Sequence, residues 1–463
     1  MTASRERVLP PASVPPTALT EKPRWTDALS IYLRRRVLIV MLLGFSSGLP
    51  LALSGSTLLV WMTEEGVNLR TIGLFALVGA PYTWKFVWAP LVDALNVPWL
   101  SRCLGRRRGW LLLSQLLVLA AIVFLGLCDP VADPWLVAVA ALLVAAASAT
   151  QDILVDAFRI DSLDESEQEA GAGSYVAAYR IGMLASTAGT LFLVSGLEGL
   201  GSAKHAAWSV GYLISAALVL VGIATTLVAS EPEKSDLAEH LHGGKNAFRR
   251  LFMTLTSALR DFFLREGILI ALIVLAFVVL FKLTDALAGV MTAPFVIRLG
   301  FTRNEYAAIV KVVGLAATLA GAIAGGFVAR TYPMARSLWI GGVLQAVANF
   351  AFSWQAMVGR DLSWLTFAIT LENFTSSIGT VIFVAYISAL CRNPLHTAMQ
   401  YALLTACSAV GRTYLPAVGG AIAEATGWIW FFAICALAAL PSFVLLAWLQ
   451  RRGHFAALAI KSS

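Results

Sequence analysis

An all-α protein crossing a membrane many times, in two groups of six helices, is the fold class this sequence predicts. Of its 463 residues, 59% are hydrophobic and only 13% charged, and mean hydropathy is +0.77. A soluble domain carries about 25% charged residues, so this chain holds more apolar surface than one aqueous core can hide. Apolar runs long enough to span, about 20 residues each, recur along the whole length. One polar interruption, 230–265, is longer than any other and falls between the sixth and seventh runs.

In chain order, residues 1–36 form a polar tail with PASVPPTALTEKPRWTD at its centre, Pro-rich and read as disordered. It precedes the first apolar run, which is too long for the core of a cleavable signal peptide. Twelve spans are predicted at 37–61, 71–91, 110–128, 135–157, 172–196, 207–229, 266–291, 304–329, 334–357, 362–390, 397–423 and 428–450. The domains are then an N-terminal half (37–229), a linker (230–265), a C-terminal half (266–450) and a tail (451–463). Two six-helix halves around a central loop is the major facilitator pattern. Within the linker, Phe248, Leu251, Phe252, Leu255, Leu259, Phe262 and Phe263 recur at helical spacing among Arg249, Arg250 and Arg260. That reads as an amphipathic helix on the inner leaflet, with a soluble linker helix as the alternative.

Orientation follows from the basic residues, which are retained on the cytoplasmic side. The side holding both tails and the linker carries 24 of the 34 Lys and Arg. The other carries five: Arg70, Lys204, Arg298, Arg303 and Arg360. Both termini are therefore predicted to be cytoplasmic. Trp61, Trp110, Trp135 and Trp428 at span ends fit an interfacial belt. The net charge of +7 follows from this topology and needs no nucleic acid to explain it. The five cysteines (Cys103, Cys128, Cys391, Cys407 and Cys435) stand singly, without zinc or redox spacing, so neither cofactor nor metal is predicted.

Charge inside a span is costly and marks function by default. Nine such residues occur: Lys85, Asp152, Asp156, Arg180, Lys282, Asp285, Lys311, Glu372 and Arg412. A rise of ~1.5 Å per residue puts Asp152 about 8 Å, and Arg180 about 12 Å, from the cytoplasmic ends of consecutive helices, a depth at which they can pair. Asp156 lies one turn away on the same face, with Arg159 three residues on. Lys282, Asp285 and Lys311 are placed together roughly 9–14 Å from the periplasmic surface, and Glu372 and Arg412 near the midplane. Each has a plainer reading. The pairs can be static locks between helices, and Lys311 can snorkel outward. Midplane charge between two halves is nevertheless where transporters bind substrate and ions.

Small residues pattern two helices: GFSSGLPLALSG places Gly44, Gly48 and Pro50 in the first span, and GLAATLAGAIAGG runs through the eighth. Such stripes let helices approach closely. In APLVDALNVPWLSRCLGRRRGW, Asp93 ends one helix and Arg106, Arg107 and Arg108 precede the next. An acid facing an arginine cluster across a short loop can latch the cytoplasmic side. Ordinary positive-inside anchoring is the alternative for the arginines.

These blocks, in order, resemble one family. GFSSGLPLALSGSTL, APLVDALNVPWLSRCLGRRRGW, ATQDILVDAFRID and EQEAGAGSYVAAYRIGML in the first half are similar to AmpG-type muropeptide permeases. FKLTDALAGVMTAPF, LENFTSSIGTVIFVAYISALC and QYALLTACSAVGR continue the resemblance to about Trp448. The resemblance implies proton-driven import of N-acetylglucosaminyl-1,6-anhydro-N-acetylmuramic acid, with or without stem peptide, across a bacterial inner membrane. It also implies a role in wall recycling and, in some Gram-negative bacteria, in β-lactamase induction. Two departures stand out. Ala94 replaces a basic residue usual after Asp93, and the chain ends RRGHFAALAIKSS where some members extend further.

Muramyl and peptide carboxylates suit Arg, which binds them bidentately. Substrate binding is accordingly assigned to Arg180, Lys282, Arg412 and Lys85, with Gln151, Asn373, Gln400, Tyr179 and Tyr401 for sugar hydroxyls. Proton coupling is assigned to Asp152, Glu372 and Asp285, with Asp152 paired to Arg180. Gating is assigned to Asp93, Arg106, Arg107, Arg108, Asp156 and Arg159. The predicted partners are a small glycopeptide, protons and the lipid bilayer, with the chain acting as a monomer. An intramembrane enzyme is disfavoured, since no histidine lies within a clear span and no nucleophile elbow or metal spacing occurs. A same-fold permease for a siderophore or acetyl-coenzyme A is the remaining alternative.

Overall fold

The structure, a computed structural model, describes residues 30–232, 263, 267–391 and 397–459. Among them there is helix and no strand. The long helical segments, in chain order, are α1 (Arg35–Glu64), α2 (69–94), α3 (Arg106–Gly126), α4 (Pro134–Ser162), α5 (Ala170–Gly199) and α6 (Lys204–Val228). The second half of the chain gives α7 (Ile268–Arg298), α8 (Arg303–Thr331), α9 (Met334–Val358), α10 (Leu362–Leu390), α11 (397–426) and α12 (428–451). The amphipathic helix expected in the linker lies outside the described residues.

Nine helical runs among the described residues are long and apolar enough to cross a membrane; α2 and α9 are not among the nine. The last run, Leu403–Arg451, has 49 residues. As one rod it would measure roughly 74 Å, more than twice the hydrocarbon core. Gly427 breaks it, with φ +75° and ψ 166°, a conformation that costs a side-chain-bearing residue dearly. Leu404 and Leu449 then share one core cluster, so the chain turns back, and α11 and α12 both pack against α7.

Local chemistry sets the helix starts. The Asp133 carboxylate accepts the Leu136 amide at 3.0 Å and Pro134 occupies the first turn of α4. Thr302 and Glu305 form a reciprocal capping box at the head of α8. The ends run past the predicted limits: α4 continues to Ser162 and α7 to Arg298. In both, the helix extends beyond its apolar run, with Arg159 or Arg298 in the last turn where a cation meets the carbonyl end.

The α1–α5 contact explains the small-residue stripe. A Cβ on Gly48 would stand 2.1 Å from the Tyr179 carbonyl oxygen, so the two backbones touch directly.

Residues 30–36, the 95–105 and 163–167 connections and Glu231 gather on one face, called here the terminal face. The connections 65–68, 200–203 and 299–302 lie on the opposite face. The core is not evenly divided between them. Toward the opposite face one cluster joins both halves of the chain, including Trp61, Trp208, Met291, Phe295, Phe352 and Phe432. Toward the terminal face it separates into clusters built from one half each, around Phe158 in the first and Tyr386 in the second.

Candidate substrate pathway

The first helix of each half is interrupted. In α1 a π-helical segment, Leu53–Thr57, contains Gly55 at φ −109° and ψ −110°. In α7 the ladder breaks at Lys282, with Phe281 ending one piece and Leu283 starting the next. Interrupted helices at corresponding positions of two repeats mark transporter binding sites, because freed backbone groups there line a cavity.

In the first half, Asp152 is buried (7% exposed) and accepts the Ser47 hydroxyl at 2.5 Å. Lys85 Nζ stands 3.8 Å from its other oxygen. The partner predicted from depth, Arg180, is not the one found. Among the described residues Arg180 makes no ion pair, and its side chain is exposed. α5 presents Tyr175 and Tyr179 to α1, whose Ser47 bonds Asp152. Tyr82, Tyr175 and Tyr179 lie within electrostatic reach of Asp152. One rung along, Gln151 is fully buried and donates to Ser46 at 3.4 Å, inside the bundle. It links α4 to α1, and its Oε1 has no hydrogen-bond partner among the described residues.

In the second half, Lys282 donates to Asp285 at 2.6 Å and Asp285 also accepts Gln345 at 2.9 Å and Ser376 at 2.7 Å. Lys282 is 5% exposed, and its ammonium also donates to the Ser376 carbonyl of α10 at 3.4 Å. Because α7 reaches Arg298, the pair sits near mid-helix. Lys311 is not in that cluster; its Nζ lies over the Tyr306 ring, 5.5 Å from the centroid. Glu372 accepts the Asn373 amide at 2.8 Å, and Asn373 also bonds Thr318 and the Ile369 carbonyl. Arg412 is exposed, makes no ion pair among the described residues and lies within electrostatic reach of Asp285. The side chains of Asp93, Gln400 and Tyr401 lie outside the description.

Arg107 and Arg108 of the terminal face make contacts within the first half. Arg107 meets Asp161 at 2.9 Å, and the Arg107 and Arg108 amides both donate to Glu231. Arg108 also donates to the Thr226 and Leu227 carbonyls. These contacts tie α3 to α4 and α6. Arg159 lies 3.6 Å from Asp156, as its spacing predicted, and over the Tyr175 ring.

Charge reading of the sequence missed the strongest cross-half contact. At the opposite face Arg303 donates from Nε and Nη2 to both Glu64 oxygens, at 2.8 and 2.6 Å, and reaches Glu198 at 3.1 Å. Its guanidinium covers Trp208, which stacks on Trp61. Arg298 donates to the Val67 carbonyl at 2.9 Å, and Gly420 abuts Leu69 and Gly73 backbone to backbone. Among the described residues every salt bridge between the halves lies here. Further in, Thr83 meets Thr413 at 3.0 Å and Trp84 meets Tyr414 at 2.7 Å. The halves are thus joined at the opposite face and have separate cores toward the terminal face, the shape of a transporter closed on one side.

Residues 40–399 match the Major Facilitator Superfamily. Over 419 residues the chain is 39% identical to the anhydromuropeptide permease of Escherichia coli K12, covering 90% of this chain and 80% of that one. The chain belongs to the anhydromuropeptide permease family of the Major Facilitator Superfamily. Within this family it is also 34% identical, over 417 residues, to the putative transporter AmpG 4 of Rickettsia felis, spanning 90% of this chain and 97% of the relative. Solved structures share the fold. A nucleoside transporter, NupG, superposes with TM-score 0.64 at 12% identity, covering 91% and 99% of the two chains. The Escherichia coli xylose transporter XylE gives TM-score 0.58 at 13% identity, covering 88% and 94%. The predicted multi-pass major facilitator fold and permease family are both met.

Proposed function

We propose that this permease imports anhydro-muropeptides, N-acetylglucosaminyl-1,6-anhydro-N-acetylmuramic acid with or without stem peptide, across a bacterial inner membrane for wall recycling. The observation that carries this reading is the 39% identity to a protein named for that cargo, maintained over 90% of the chain. The geometry supports it. Arg180 and Arg412 offer exposed guanidinium groups, one in each half, to a carboxylate-bearing cargo. Tyr175 and Tyr179, with ring centroids 6.0 Å apart, offer flat apolar faces to pyranose rings.

Transport is coupled to protons. Asp152 is the carrier of the first half, with Lys85 as its counter-ion, while Asp285 and Glu372 serve the second. Both termini face the cytoplasm, so the arrangement with the opposite face closed is the inward-facing one, and the monomer is the working unit. The positive-inside count supports that orientation. Uptake of labelled anhydro-muropeptide by a permease-null strain expressing this chain tests the reading. Accumulation that collapses with a protonophore supports it; no accumulation at wild-type expression refutes the cargo.

A further inference from the structure

We propose that Lys311 is a second residue, in addition to Arg412, through which the second half recognises a carboxylate of the cargo. The inference rests on the function proposed above and names a ligand group for it. Lys311 lies eight residues into α8, roughly 12 Å from its start, in a π-helical segment, Ala307–Val313. That segment packs against a second π-helical segment, Ala185–Gly189 of α5, so it lies at the seam between the halves. Isolated π turns are uncommon and recur at functional sites.

Three other cations inside the bundle already have carboxylates, whereas Arg180 and Arg412, like Lys311, have none among the described residues. Lys85 faces Asp152, Lys282 faces Asp285, and Arg303 grips Glu64. Lys311 has no carboxylate within ion-pair distance among the described residues. Its neighbour is the ring of Tyr306, which is 2% exposed. Glu372 lies within electrostatic reach, but its Oε2 accepts the Asn373 amide. An ammonium over a π face is attracted by the ring without being tied up in an ion pair. An incoming carboxylate therefore gains a charge-assisted contact at Lys311 without first displacing an acid, as it must at Lys85 or Lys282. A lysine acts as a point charge on a flexible stem, which suits carboxylates set at different distances from the sugar.

The test is calorimetric binding to the purified chain. The anhydro-disaccharide is used with its lactyl carboxylate free and, separately, as the neutral lactyl amide; the peptide-bearing form reports whether a peptide carboxylate takes the same place. The wild type should prefer the free acid at least 10-fold. Lys311→Gln should lose that preference while keeping its affinity for the amide, and Lys311→Arg should retain most of it, all three unfolding at similar temperatures. A Lys311→Gln protein that still prefers the acid, or that weakens for acid and amide alike, overturns the assignment. A wild type that binds neither form refutes the cargo reading and this inference with it.

Discussion

Arg303 grips Glu64 with two nitrogens across the boundary between the halves, and the two side chains are only 10% and 12% exposed. Removing one member of such a pair strands the other in a poorly hydrated place, a loss of about 3–5 kcal/mol. Arg303→Gln should therefore lower the thermal transition of the detergent-solubilised protein and increase labelling of a cysteine placed at Asn304. Adding Glu64→Gln and Glu198→Gln should restore much of the stability without restoring closure. Unchanged labelling in the single variant would mean that the contact is not what holds this face shut.

Gly420 sets how closely the same face can shut. A Cβ there would stand 1.8 Å from the Leu69 carbonyl oxygen, in the other half of the chain. Gly420→Ala should leave each half folded while forcing them apart. Spin labels at Ser202 and Asn304, on a cysteine-free background, should report a longer distance than in the parent protein. An identical distance distribution would show that the neighbouring backbone yields.

For Asp152 the compensating partner is Lys85, 3.8 Å away. Asp152→Asn combined with Lys85→Gln should express and fold like the wild type, whereas Asp152→Asn with Arg180→Gln should gain nothing over the single change. If Asp152 carries the proton, the first double variant exchanges cargo downhill but does not accumulate it. Wild-type accumulation in proteoliposomes with a pH gradient would remove Asp152 from the coupling mechanism.

On the terminal face, the hydrogen bond from Arg34 holds the Glu167 carboxyl below its ordinary range. A carboxyl with a depressed folded-state pKa contributes stability above its unfolded pKa and loses it as pH falls through the folded one. Glu167→Gln should thus be less stable than wild type at pH 7, and the gap should close below about pH 4. Unfolding temperatures of the two proteins from pH 7 to 3 decide it. A gap constant over that range would assign the difference to packing.

The fold was legible because a bilayer allows few alternatives: about 20 apolar residues per crossing, with cations retained on one side. Apolarity does not say where a helix stops once it leaves the hydrocarbon, which is why α4 and α7 outran their expected ends. Asp152 and Asp285 were findable as charges out of place. Lys282 was grouped with Asp285 by depth, and the two, three residues apart on one helix, do meet. The partner of Asp152 was not found by depth, because it depends on the rotation of α2 and α5 about their axes. Arg303 was counted only as one of five cations on a sparsely charged side. The useful signal was the acid beside it: Glu64 and Glu198 end two spans on that same side.

Three π-helical segments, in α1, α5 and α8, meet in one neighbourhood, and the Thr57 hydroxyl donates to the freed Ser186 carbonyl at 3.0 Å. A π turn holds one residue more than the α turn it replaces. If that surplus migrates along a helix, the stretch it crosses changes phase by about 100°. A carboxylate or ammonium on that stretch would then face a different neighbouring helix while both ends of its own helix stayed where they were. Such a helix would be a screw with slack in its thread, able to turn a charge toward a new partner without the whole half having to swing.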